Sequence, residues 1–122
     1  MTERTGPQWA QAIVDGLIAS ANDALQRYCA RPKSAKRVHR LRKSLARAQA
    51  ALEDFASLKL GTAKITKRIA RIHRCAGKVR DYDVLLKRLR GFEAVREELR
   101  RRRRRSRRRL RHLTRRLNGR IA

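Results

Sequence analysis

Acidic residues are scarce in this sequence relative to basic ones. Aspartate and glutamate number 10 against 35 lysines and arginines, a formal net charge of +25 on 122 residues with a pI near 11.9. Like charge at that density repels itself in a compact fold, so a polyanionic partner is expected: nucleic acid, acidic lipid or a phosphate polymer. Proline (2) and glycine (6) are also rare, which leaves long helices open and argues against a turn-rich sheet fold. The two cysteines, Cys29 and Cys75, form no CxxC pair and no Cys/His ligand spacing, so no metal site is expected. Both sit beside apolar neighbours and read as buried free thiols of a reducing compartment, a disulfide being the other reading. No apolar run approaches the ~20 residues that cross a bilayer. The polar, partly acidic stretch from Met1 to Trp9 does not read as a secretory leader, and none is expected. The cytoplasm is the expected location.

What is present is helical periodicity between breakers. Apolar residues are 41% of the chain, enough for one core and not for two. Pro7 suits a first helical turn, with Thr5 as a cap. Ile13, Val14, Leu17, Ile18, Ala21, Ala24, Leu25 and Tyr28 then recur at helical spacing until Pro32. Ser34 can cap a second helix, whose stripe is Val38, Leu41, Leu45, Ala48, Leu52 and Phe55, within an arc about 100° wide. Gly61 suits a left-handed turn and Thr62 a new cap. Ile65, Ile69, Ile72, Ala76, Val79, Leu86 and Leu89 mark a third helix, in which Gly77 suggests a close helix contact. After Gly91 come Phe92, Val95, Leu99, Leu110, Leu113 and Leu117, with Gly119 at the end. Helices are therefore predicted over residues 7–30, 34–59, 62–90 and 92–118, the first few residues being frayed. The short connections predict an all-α, antiparallel four-helix bundle, one domain over residues 1–122.

The charge follows the same period. Lys36, His39, Arg40, Lys43 and Arg47 share a face of the second helix opposite its apolar stripe, and Lys67, Arg71, Arg74 and Lys78 repeat the arrangement on the third. A solvated face that only aids solubility is the plain alternative, but such faces mix signs and these two contain no acid. The fourth helix carries six consecutive arginines, Arg100 to Arg105, then Arg107 to Arg109. Its apolar stripe lapses at Arg103 and Ser106, and a buried unpaired arginine is costly. This stretch is expected either to project past the bundle or to line a wet, anion-filled groove, Arg103 and Arg107 being candidate contacts; a basic extension without ligand geometry is the alternative. Glu93, Glu97 and Glu98 precede it, where the helix dipole favours acids and where they can pair with arginines one turn on. Arginine forks hold phosphate bidentately and lysine adds point charge. Proteins that bind single strands add aromatic stacking platforms. Here at least three of the five aromatics Trp9, Tyr28, Phe55, Tyr82 and Phe92 fall on core stripes, which favours phosphate contact over base reading.

Two blocks carry a family resemblance. The segment from Val38 to Leu52, VHRLRKSLARAQAAL, resembles the signature helix of the CHAD domain (conserved histidine α-helical domain), roughly V-H-x-x-R-V-x-x-R-R-L-R-x-x-L with an aromatic shortly after. His39, Arg42, Arg47, Leu52 and Phe55 match; Ala46 and Gln49 replace arginines of the pattern, and Lys43 replaces an apolar residue. Gly77 to Leu86, GKVRDYDVLL, resembles the family's L-G-x-x-R-D-x-D-V-L-L block and follows in the expected order. The resemblance implies an all-helical fold and binding of inorganic polyphosphate, often at polyphosphate granules. It also implies a domain of two four-helix bundles related by a pseudo-twofold. The chain is about half of such a domain, so a homodimer whose true twofold replaces the pseudo-twofold is expected.

His39 lies on the cationic face and is a candidate for phosphate contact, a plain surface histidine being the alternative. Neighbouring cations disfavour its protonation. His73 and His112 read as ordinary helix residues. Arg80, Asp81 and Asp83 read as intra-bundle ion pairs that position arginines, rather than as metal ligands or catalytic acids. No nucleophile–base arrangement or glycine-rich phosphate loop is present, and no cofactor is implied. The expected function is non-catalytic binding of inorganic polyphosphate through Lys36, His39, Arg40, Arg42, Lys43, Arg47, Lys67, Arg71, Arg74, Lys78, Arg80, Arg103 and Arg107. The alternative is sequence-nonspecific binding of RNA or DNA backbones, led by the fourth helix. A polyphosphate-metabolising enzyme would need an acidic metal cluster, and a membrane-surface helix is disfavoured because the stripes are sized for mutual packing.

Overall fold

The computed structural model describes residues 6–121. Four α-helices make up most of it: α1 (Gly6–Ala30), α2 (Ala35–Asp54), α3 (Ala63–Arg88) and α4 (Glu93–Arg116). There is no strand among the described residues. The Thr5 cap and the frayed first residues expected above lie outside the described residues. Ser34 Oγ accepts from the Arg37 amide at 3.3 Å and Thr62 Oγ1 from the Ile65 amide at 3.2 Å, so both side chains satisfy an amide that a helix start leaves orphaned. α2 was expected to run to residue 59 but ends at Asp54. Phe55 leaves helical geometry, Ala56–Leu58 form a 3₁₀ turn, and Lys59 and Gly61 both take positive φ. Leu52 fills the inside of this turn: a Cβ on Gly61 would stand 3.2 Å from Leu52 Cδ2, so glycine suits the position on both backbone and space.

Each helix packs on the next in sequence, and α4 returns to touch α1. The core joins Val14, Ala21, Leu25 and Tyr28 of α1 to Val38, Leu41, Leu45 and Ala48 of α2, then to Ile69, Ile72, Ala76 and Val79 of α3. α4 adds only Leu110 and Leu113 from its second half, and Ile121 closes the end. The Ile121 amide donates to Asn22 Oδ1 at 3.0 Å, and its carbonyl accepts from Arg68 Nη1 at 3.1 Å. Each large aliphatic buried here contributes about 1.5–3 kcal/mol. Once these stripes face inward, the cations interleaved with them must face out.

Two expectations need correction, and a third is met in part. Phe92 and Val95 continue the apolar stripe of α4, yet they are 61% and 48% exposed. α3 has 26 residues and α2 only 20, a difference of about 9 Å, so the end of α3 and the start of α4 outrun their cover. The lapse in that stripe is met partly by a groove that Ser106 and Arg109 line, and partly by an ion pair. Ser106 is buried, and Asp83, buried on α3, accepts from Arg103 Nη1 at 3.1 Å and faces Arg107 Nη2 at 3.5 Å. One carboxylate thus lets the arginine run pass beside the core. Finally, the two thiols are free but not buried: Cys29 is exposed and Cys75 half-buried.

Candidate anion-binding surface

With Val38, Leu41, Leu45 and Ala48 turned inward, Lys36, Arg40, Lys43 and Arg47 emerge exposed on α2; Lys67, Arg71, Arg74 and Lys78 do the same on α3. Among the described residues none of these eight pairs with a carboxylate. The positive charge therefore stays available to a ligand. It is organised in three adjoining parts.

The first is a cleft of about 640 Å³ between α1 and α2. Arg40, Lys43 and Arg47 line it with Arg27, Arg37, Ser20 and Ser44. Its one acid, Asp23, is held by Arg27 at 3.1 Å. Arg37 donates from its guanidinium to the Arg27 carbonyl, which ties the two helices together at the mouth.

The second is the seam between α2 and α3. The Arg42 side chain lies over Gly77 of α3: a Cβ there would stand 3.8 Å from Arg42 Nε, which is ordinary contact. The expected close contact at Gly77 is thus made by a side chain. His39 and His73 flank Arg42, and Arg80 approaches from α3. His39 Nδ1, Arg42 Nε and His73 Nε2 are all buried and have no hydrogen-bond partner among the described residues. Burial, then the charges of Arg80, Lys43 and Arg42, push the pKa of His39 down. Burial, then Arg42, does the same to His73. Both imidazoles are therefore held neutral beside a guanidinium, an arrangement that a phosphate oxygen would relieve.

The third is a groove of about 330 Å³ between α3 and α4, with Ser106 and Cys75 among its lining. Arg71, Arg74 and Lys78 form one wall, Arg109, His112 and Arg116 the other, and no carboxylate lines it.

The thirteen candidates thus separate. Arg40, Lys43 and Arg47 share the first part, His39, Arg42 and Arg80 the second, and Arg71, Arg74 and Lys78 the third. Lys36 and Lys67 are exposed but line neither cleft. Arg103 and Arg107 face inward on Asp83, and burial and Arg103 lower the pKa of Arg107 against the pull of Asp83. The sequence did not single out Arg27 and Arg37, which line the first part, nor His73 beside Arg42 and His112 in the third. Nor did the spacing of Arg109, His112 and Arg116 stand out. Three and four residues apart, they were legible as a ridge, but arginines on every side of the helix masked the period.

Among the described residues no group of three or more histidines, cysteines, aspartates or glutamates could hold a metal ion, and no helix is long and apolar enough to cross a membrane. No curated protein and no solved structure matches the chain. The sequence profile of the CHAD domain matches residues 12–120, which takes in all three parts of the cationic surface, and domains of this family generally bind polyphosphate without catalysis. The chain belongs to the CHAD domain family.

Proposed function

We propose that this chain binds inorganic polyphosphate and does not turn it over. The seam between α2 and α3 carries the reading: His39, Arg42 and His73 bring buried, unpartnered nitrogens together, flanked by cations without counter-ions. A linear string of phosphates suits that geometry, because its oxygens can take the orphaned donors in turn along a helix-length row of charge-assisted bonds. The clefts on either side extend the row, with Arg109, His112 and Arg116 added and with Arg103 and Arg107 acting from inside to position α4. The one carboxylate in these clefts is tied to Arg27, which supports binding rather than catalysis. The contacts of α3 with α4, Asp83 with Arg103 and Arg68 with Ile121, suit an antiparallel course of the bundle. Pairing of two copies and residence in the cytoplasm, at polyphosphate granules, complete the reading; the free thiols suit a reducing compartment.

Nucleic acid is the competing ligand, favoured by the exposed arginines Arg101, Arg104, Arg105 and Arg108 of α4. Against it, Tyr28 is buried and Phe55 is packed on the core, and the exposed aromatics Trp9 and Phe92 line neither cationic cleft. Tyr82 is half-buried beside Arg102 of α4, and no aromatic lines either cationic cleft, so the clefts lack stacking platforms. The test is binding of long-chain polyphosphate at physiological salt, competed by tRNA and duplex DNA. Retention of polyphosphate against excess nucleic acid is expected. Displacement at equal phosphate concentration would overturn the specific reading, since both ligands share the same salt dependence.

A further inference from the structure

We propose that a small hollow between the end of α1 and the last turns of α4 binds a single phosphate-type oxyanion, held by Arg111 and Arg115 with the hydroxyl of Tyr28 as a third donor. The site goes beyond the function proposed above, since it shares no residue with the clefts or the seam assigned to polyphosphate. Its volume is about 60 Å³, and Tyr28, Cys29, Pro32, Arg111, Thr114 and Arg115 line it. That is room for one tetrahedral group and not for a run of chain. Among the described residues no carboxylate lines it, and neither Arg111 nor Arg115 pairs with one.

Two independent observations point to an anion there. The first is the spacing on α4. Arg111 and Arg115 stand one turn apart, and the buried Leu110, Leu113 and Thr114 separate them from His112 and Arg116, which line the groove on the α3 side. α4 thus turns one basic pair to α3 and another to α1. The second is a stranded donor. Tyr28 is 1% exposed, and its hydroxyl has no hydrogen-bond partner among the described residues. A buried hydroxyl is costly to leave unmatched. Burial, then Cys29, raises its pKa and outweighs the charges of Arg111, Arg107 and Arg115, so it keeps its proton. Those charges act on the phenol oxygen, which places the hydroxyl itself, and not only the ring, beside the guanidinium groups. Guanidinium groups only donate and cannot take that proton, whereas phosphate oxygens accept from all three groups at once. The carbonyls of Arg27 and Tyr28 near the end of α1 would repel an anion if bare, but Arg37 and the Arg31 amide already bond to them. Solvent does not reach the hydroxyl as the side chains stand; Arg115 is exposed and Arg111 half-buried, so both can turn to let the anion in. α4 lends the core only Leu110 and Leu113, so an anion bridging it to Tyr28 ties down the helix with the least apolar cover.

Cys29 lines the hollow and is exposed, so its thiol reports occupancy. The test is alkylation of the full chain by iodoacetamide, read by peptide mapping, in orthophosphate, in tripolyphosphate and in chloride at matched ionic strength and pH. Phosphate is expected to slow Cys29 about threefold relative to chloride at a free concentration near twice Kd. Protection by both phosphates assigns the site to free phosphate; protection by tripolyphosphate alone assigns it to the end of a chain. Protection by neither overturns the proposal. Tyr28→Phe removes the hydroxyl and keeps the ring. It should melt no lower than the wild type in chloride, because the hydroxyl it lacks bonds to nothing there. Its affinity for whichever phosphate protects the wild type should fall about tenfold. Arg111→Gln with Arg115→Gln should abolish the protection. A Tyr28→Phe chain that melts lower, or either variant protected like the wild type, overturns the site as built here. Cys75 lines the groove between α3 and α4 and is scored on the same samples. Its slowing by tripolyphosphate reports on the polyphosphate reading, so failure of that reading shows apart from failure of this one.

Discussion

Asp83 offers the most discriminating perturbation. It is 5% exposed and faces two guanidinium groups, Arg103 at 3.1 Å and Arg107 at 3.5 Å. Replacing it by leucine leaves both arginines uncompensated beside the core. Breaking a fully buried pair this way costs about 3–5 kcal/mol. Here the arginine side chains are 26% and 25% exposed and can swing part of the way into water, which reduces the loss to about 2–3 kcal/mol. An unfolding entropy of ~2.1 cal/mol/K per residue over 122 residues gives about 0.26 kcal/mol/K, so Tm falls by about 8–12 °C. Adding Arg103→Met and Arg107→Met to Asp83→Leu removes the stranded charges, keeps most of the stem packing and should recover most of that loss. Calorimetry measures both steps. Polyphosphate affinity separates structure from ligand contact: the triple variant should bind within about threefold of wild type, because these two arginines point at Asp83 and not at the clefts. A thermally neutral Asp83→Leu would refute the claim that the carboxylate carries the arginine run past the core. A triple variant that loses binding as badly as a cleft variant would return Arg103 and Arg107 to the ligand.

Two further outcomes follow from the seam. His39 and His73 have pKa values below the ordinary 6.5, so the folded chain holds fewer protons than the unfolded chain in the window just below that value. Ligand-free stability is therefore expected to fall as pH drops through about 6.5 and to level off below the folded pKa, while polyphosphate, by stabilising the imidazolium, should bind more tightly over the same fall. His39→Ala with His73→Ala should flatten both profiles; a chemical-denaturation and titration series at several pH values decides it, and an unchanged binding profile would show that the imidazoles do not meet phosphate. Gly77→Ala should stabilise the chain by about 0.5–1 kcal/mol, since the added methyl meets Arg42 only at ordinary contact distance and the helix gains propensity. Thermal unfolding reads the gain, and a loss of stability would mean that Arg42 needs the bare backbone.

The parts of this fold that were legible in the sequence are those decided locally. Ser34 and Thr62 cap their helices by bonds that span three residues, and Pro32, Gly61 and Gly91 interrupt the chain through their own backbone limits. The ridges on α2 and α3 were legible for the same reason: an apolar stripe of period 3.6 fixes the opposite face without knowledge of any neighbour. The seam was half legible. His39 and Arg42 stood out on α2, but nothing local says that α3 brings His73 alongside and lets Arg42 lie over Gly77.

What stayed hidden depends on the lengths and offsets of helices relative to one another. The stripe of α4 has one period from Phe92 to Leu117, yet its second half is core and its first half is surface, because cover is a property of the partner helix. The same offset accounts for the charge. Where α4 runs beside the core, the arginines at the stripe position need Asp83. Where it outruns the core, Glu93 and Glu98 hold the first arginines from their own helix, Glu98 accepting from Arg102 at 3.2 Å with its pKa lowered by that bond and by Arg101. The acids of a chain this basic are thus not scattered at random. Five of the ten stand at the end of α3 and the start of α4, where the apolar side chains are bare and where the cationic clefts are not.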